Sequence, residues 1–176
     1  MINVTKMKKM VNDDRVIWGV EGDYMLASEG HRIYKDHIEN FEPKIKGALF
    51  EKFGRVPEEG ETLIYNKSNK QVKPFERKLS DFIGKQEDFT VNVERLGLTT
   101  DDFEIMKTEN GLVAFDKEYS QVFKDPKKLI LKTSEKNLWF TRFTFEDETM
   151  EYYLLPLRIE NLEDNLKEKL GFNVEK

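Results

Sequence analysis

The stretch from residue 127 to 159 constrains the fold more than any other part of the chain. Residues 128–133, 138–145 and 150–159 are three short apolar-rich runs, separated by polar segments at 134–137 and 146–149. In the second run Trp139, Thr141, Phe143 and Phe145 fall on one side of a period-two pattern, the period of a strand and not of a helix. Three such runs joined by tight polar turns predict an antiparallel meander. Pro156 has no N–H to give to a ladder, so the third strand is expected to lie at a sheet edge or to stop pairing there.

The rest of the chain surrounds this meander with mixed elements. Residues 3–11 read as a short helix capped by Asn3 or Thr5, with Met7, Met10 and Val11 on one side. Val16, Trp18 and Val20 alternate along a strand, Gly22 sits in the tight turn that follows, and residues 24–34 read as the return strand. Residues 38–54 read as a helix, with Ile38, Phe41, Ile45, Leu49, Phe50 and Phe53 approximating its stripe, Gly54 ending it and Pro43 limiting its first turn. A short strand at 62–65 and a short helix at 75–83 are expected next, then a strand at 89–93. Thr100 followed by Asp101, Asp102 and Glu104 resembles a helix start, with a strand as the alternative. Asn110-Gly111 signals a turn before the apolar run 112–115, and Asp116 a helix cap. Leu162, Leu166 and Leu170 form the stripe of an amphipathic helix capped by Asn161 and ended by Gly171. The expected fold class is α+β, antiparallel sheet with packed helices. One domain spans 1–160 with an insert at about 38–88, and a helical tail covers 161–176.

Composition narrows the function classes. The 176 residues carry 34 acidic and 29 basic side chains, a net charge of −5, which supplies no overall attraction to nucleic acid. There is no cysteine, so disulfides and thiolate-bound zinc are excluded, and a reducing cytoplasm is the expected location. No run approaches the length of about 20 apolar residues that spans a bilayer, and the N-terminal residues lack the apolar core of a signal peptide.

Two segments carry a resemblance. Tyr24-Met-Leu-Ala-Ser-Glu-Gly-His-Arg-Ile-Tyr34 resembles the A-T-D-G-H-R strand-turn of bacterial sliding clamps, the polymerase III β subunit. Tyr152-Tyr-Leu-Leu-Pro-Leu-Arg-Ile159 resembles the clamps' C-terminal V-M-P-M-R-L strand. The resemblance implies one clamp-like repeat with a helical insertion. In the family these motifs line a pocket for short partner peptides, which implicates His31, Arg32, Leu155, Pro156, Leu157 and Arg158 here. The family takes the two motifs from neighbouring repeats, so in a chain of one repeat they need not converge without a homodimer. A second stretch, residues 2–25, resembles the start of plasmid- and phage-borne proteins of low-GC bacteria, some of them anti-CRISPR proteins acting on Cas9 and its guide RNA.

The residues suggest further candidates. Lys6, Lys8 and Lys9 could contact RNA phosphates, as could the lysine clusters at 67–73 and 124–128. Glu146, Asp147 and Glu148 could mimic phosphates at a hairpin tip. Glu42-Pro-Lys44 with Asp36 upstream has the outline of a metal-dependent nuclease site. His31 and His37 do not have the spacing of a metal pair. The chain is therefore expected to bind a partner without catalytic residues, metal or cofactor of its own. The leading expectation is a mobile-element-encoded inhibitor of a Cas9–guide RNA complex or of another host nucleic-acid-processing protein, with RNA contact. A clamp-like replication accessory is the alternative, and a nuclease the minority reading.

Overall fold

The computed structural model describes residues 2–83, 90–99, 102–108, 111–122, 130–132, 141–144 and 149–157. Helix α1 (Val4–Lys8) starts at Asn3, whose side chain accepts from the Lys6 N–H, and runs into a 3-10 turn at Lys9–Asn12. Strands β1 (Arg15–Glu21), β2 (Tyr24–Ser28) and β3 (Arg32–His37) follow, then helix α2 (Pro43–Phe53). Gly54 closes α2 at φ 76°, a left-handed conformation that glycine adopts without steric cost. Strands β4 (Thr62–Asn66) and β5 (Gln71–Pro74) form a hairpin, and α3 (Ser80–Ile83) is one helical turn. Strands β6 (Thr90–Thr99), β7 (Phe103–Thr108) and β8 (Gly111–Asp116) precede α4 (Lys117–Ser120), which Asp116 caps through the Glu118 N–H. The chain then supplies β9 (Ile130–Lys132), β10 (Thr141–Thr144) and β11 (Glu151–Leu154).

The fold is α+β, and its strands join in one sheet of order β5-β4-β1-β2-β3-β11-β10-β9-β6-β7-β8, every pairing antiparallel. The expected meander is β9-β10-β11. Its last strand is interior, between β3 and β10, and its regular pairing ends at Leu154, before Pro156. Beyond that proline Leu157 bridges Ala114 of β8, its N–H donating to the Ala114 carbonyl at 2.9 Å. The strands from β11 round to β8 thus return on themselves.

Three sequence expectations are corrected. Residues 24–34 are not one return strand but two antiparallel strands, with Ser28 opposite Ile33 and a reversal at 29–31. Gly30 makes that reversal at φ 110°, a region closed to most L residues. Residues 103–108 form β7, not a helix, because each residue from Phe103 to Thr108 is paired with β8. Of the expected helix at 75–83 only the last turn is helical. The expected tail helix at 161–176 lies outside the described residues.

Both sheet faces are covered. Val16, Trp18, Val20, Met25, Ala27, Tyr34, Leu63, Tyr152 and Leu154 bury one face with Met7, Met10 and Val11 and with Ile45, Leu49 and Phe53 of α2. Ile17, Leu26, Ile33, Ile64 and Tyr153 alternate with them onto the other face, which is covered more thinly by Phe75, Leu79, Phe82 and Ile83. Among the described residues no helix is long and apolar enough to cross a membrane.

Candidate functional site

The second face holds an open pocket. Residues 75–83 cross it as a strap, with Phe75 and Phe82 stacked at 6.2 Å. The strap is fastened from β1: Glu21 Oε1 accepts the Leu79 N–H at 2.8 Å and the Ser80 N–H at 3.3 Å. This is a helix cap supplied from another element, and it satisfies donors that the helical turn leaves open. Glu21→Ala is expected to cost about 1 kcal/mol locally. Hydrogen exchange at the Leu79 amide would then quicken about fivefold; an unchanged rate would show that the cap does not hold the strap.

Between strap and sheet lies a hollow of about 190 Å³, with Ile17, Ile33, Leu79 and Phe82 as its apolar lining. Ser28 and Gly30 form one wall and the exposed Arg15 one side of the mouth. An apolar cavity of about 150 Å³ is enough to take a benzene-sized group, so this hollow admits one aromatic or branched aliphatic side chain.

The wall is the β2–β3 turn, and the turn is built around a buried ion pair. The Ser28 hydroxyl accepts from the Gly30 N–H at 3.0 Å and donates to the Arg32 carbonyl at 2.7 Å. Arg32 Nε donates to Glu29 Oε2 at 3.1 Å, and the two side chains are 3% and 0% exposed. The Arg32 guanidinium lies 4.7 Å over the Tyr119 ring. Burial opposes its charge, but Tyr152 and Glu29 beside it outweigh that and hold its pKa above the ordinary value. For Glu29 burial wins: loss of water raises its pKa from 4.5 to about 7 against the opposing pull of Arg32, and Asp13 adds slightly to the rise. Glu29 Oε1 and Arg32 Nη1 are buried with no hydrogen-bond partner among the described residues.

The structure brings together both resembling segments. β3 pairs with β11, Arg32 facing Leu154, and the ladder extends one step as the Leu155 N–H donates to the His31 carbonyl at 2.9 Å. One chain achieves this, so convergence does not call for a homodimer. Leu155 and Leu157 are exposed and Pro156 buried between them, an alternation that places both leucines on the Tyr153 side, the pocket's side. His31 is exposed and stacks on Tyr119 at 5.9 Å, while Arg32 is buried and unavailable to a partner.

Other candidates sit elsewhere. Lys6 Nζ donates to Gln121 and Lys9 Nζ to Glu118, both at 2.9 Å, so these lysines fasten α1 and the 3-10 turn after it to α4 and its C-terminal end; Lys8 is exposed. Lys6 and Lys9 border a hollow of about 420 Å³ with Lys117, in which Asp102, Asp116 and Glu118 balance the three ammonium groups. Glu42 caps α2 by accepting from the Lys44 N–H, and Asp36 accepts from Thr149 Oγ1 at 2.6 Å and the His37 N–H at 2.8 Å. Among the described residues no group of three His, Cys, Asp or Glu could hold a metal ion. Arg158, Glu146, Asp147, Glu148 and the lysines at 124–128 lie outside the described residues. Sequence reasoning missed Arg15, Ile17, Leu79 and Phe82. The signal was present in the spacing of Phe75, Leu79 and Phe82, three apolar residues in an otherwise charged segment.

The chain matches no protein-family model and no curated protein sequence. Among solved structures it is similar to a crystal structure from Eubacterium rectale ATCC 33656, assigned as a DNA polymerase III beta subunit. The two share 10% identity at a TM-score of 0.37, over 90% of this chain and 65% of that one.

Proposed function

We propose that the chain is a binding protein that docks a short partner peptide on the strap-covered face. One apolar side chain of the peptide enters the hollow between Ile17, Ile33, Leu79 and Phe82, and neighbouring apolar residues lie along Leu155 and Leu157. The observation that carries this reading is the convergence of two segments more than 100 residues apart in the sequence: residues 28–33, which wall an open apolar pocket, and residues 155–157, which extend the ladder next to them. Leu155 and Leu157 are 38% and 39% exposed, the exposed end of a face that is otherwise covered. A small number of apolar anchors in pockets is the usual source of affinity in such contacts.

The two clamp-like motifs support the peptide-carrying proteins of a replication machine as the partner class. The reading as an inhibitor of Cas9 and its guide RNA draws on the resemblance of residues 2–25, the acidic composition and the acidic loops, and no described contact favours it over the docking reading.

The test is a methyl NMR titration with a short acidic peptide containing adjacent Leu and Phe. The expected result is saturable shifts at the Ile17, Ile33, Leu155 and Leu157 methyls. Leu155→Glu should weaken binding at least tenfold by placing a carboxylate in the apolar strip, with little change in stability because the position is exposed. An absence of shifts at millimolar peptide would overturn the proposal.

A further inference from the structure

We infer that the Glu29–Arg32 turn is a proton-controlled hinge of the docking pocket: the pocket wall is closed while Glu29 is neutral and opens more often once the carboxylate is charged. As regulation of that pocket, the inference rests on the docking reading.

The turn has two sides with different tasks. Ser28, Gly30 and Ile33 line the hollow. Glu29 and Arg32, interleaved with them, lie instead beside Tyr119 and Tyr152. The pocket wall and the buried pair are therefore the same six residues of backbone, and one cannot move without the other. Arg32 also hydrogen-bonds Tyr152, yet the pair is incompletely satisfied, since Glu29 Oε1 and Arg32 Nη1 have no hydrogen-bond partner among the described residues. A neutral carboxyl tolerates such a site; a carboxylate there has one of its oxygens without compensation.

Among the described residues the charged and titratable neighbours of Glu29 come from four elements and the turn itself. Arg32 on β3 opposes the cost of ionisation, and Asp13, at the end of the 3-10 turn, adds to it. Tyr152 on β11 faces the pair and is held neutral by burial. Tyr119 on α4 lies over Arg32, and burial raises its pKa too. His31 lies within the turn itself and stacks on Tyr119. Of these Arg32 favours the carboxylate, as does a backbone hydrogen bond at Glu29 itself, and burial outweighs both. As pH rises through neutrality the closed turn therefore loses stability relative to an open one in which water reaches Glu29.

The opening has direct reporters. The Gly30 N–H is held by Ser28 Oγ, and the Leu155 N–H by the His31 carbonyl, so both lose protection when the turn opens. In the ligand-free protein their protection factors should fall about seventyfold between about pH 5 and about pH 8, then level off. They should also lie well below those of β1 amides, the mark of local and not global opening. In Glu29→Gln the same factors should be flat with pH. Equal pH dependence in both proteins, or protection equal to that of β1, would overturn the hinge. Carboxyl carbon-13 shifts in the unsubstituted protein read the same group without any variant, and a Glu29 midpoint at ordinary carboxylate values would also overturn it. A docked peptide should raise that midpoint, because proton and peptide favour the same closed state. Failure of the peptide to bind would remove the docking reading while leaving the exchange result intact.

Discussion

Trp18→Ala is expected to lower the unfolding free energy by about 4 kcal/mol, within the range of about 3–5 found when a buried Trp or Phe is truncated. Trp18 is fully buried on β1, paired on one side with Ala27 of β2 and on the other with Leu63 of β4. Its ring meets the edge of Phe53, at the end of α2, with centroids 5.6 Å apart. Truncation therefore leaves a cavity at the junction of sheet and helix, where backbone pairing on both sides of β1 prevents collapse. In a domain stable by about 5–15 kcal/mol, that loss is a large fraction of the total. Urea denaturation followed by circular dichroism measures it, with Phe50→Ala as the comparison. Phe50 is half exposed on α2, and its loss should cost far less. The Trp18 indole N–H is also buried without a hydrogen-bond partner among the described residues. Trp18→Phe removes that unsatisfied donor and should cost much less than the lost volume alone suggests. If Trp18→Ala and Phe50→Ala cost the same, Trp18 is not the junction described here.

Where side-chain period alone decides an element, this fold was legible. The meander and the alternation of Val16, Trp18 and Val20 both needed no more than counting by twos. Legibility failed where tertiary contacts override a local signal. Acidic residues after Thr100 imitate a helix start, yet pairing to β8 makes Phe103–Thr108 a strand. The break at Gly30 was hidden for a different reason. Glu29 and Arg32 at i and i+3 look like an ordinary exposed pair, and only the packing of Tyr119 and Tyr152 over them makes the turn a buried one. His31, Arg32, Leu155, Pro156 and Leu157 were identified from motifs as one group. The structure separates them into the exposed His31, Leu155 and Leu157 and the buried Arg32 and Pro156. The pocket they adjoin needs Leu79 and Phe82 from the strap, whose position depends on a carboxylate 58 residues earlier.

The same carboxylate-rich chain should show an inverted dependence of stability on pH. Most acidic groups are more acidic in the folded state, so folded proteins usually weaken as pH falls. Glu61 follows that pattern: Arg55 and the Glu58 N–H hold its pKa down at about 2, and its contribution is present above about 4.5 and lost as pH falls toward 2. It is a largely exposed pair, so the effect is small. Glu29 has the opposite sign. Its folded pKa of about 7 exceeds the unfolded value of 4.5, so between those values the folded state binds more protons than the unfolded chain. Its contribution is complete below about pH 4.5 and lost as pH rises through about 7, amounting to roughly 3 kcal/mol because the group is fully buried. Urea denaturation at about pH 5 and about pH 8 should therefore show the protein more stable at the lower pH. Glu29→Gln keeps the side chain's shape and removes its charge, so it should abolish most of that difference and be the more stable protein at about pH 8. The salt-bridge partner sharpens the contrast: Arg32 cannot shed its own charge in the interior, so Arg32→Ala at the same pH should force Glu29 to take up a proton. Stability higher at pH 8 than at pH 5 in the unsubstituted protein would show instead that the attraction of Arg32 exceeds the cost of burying Glu29.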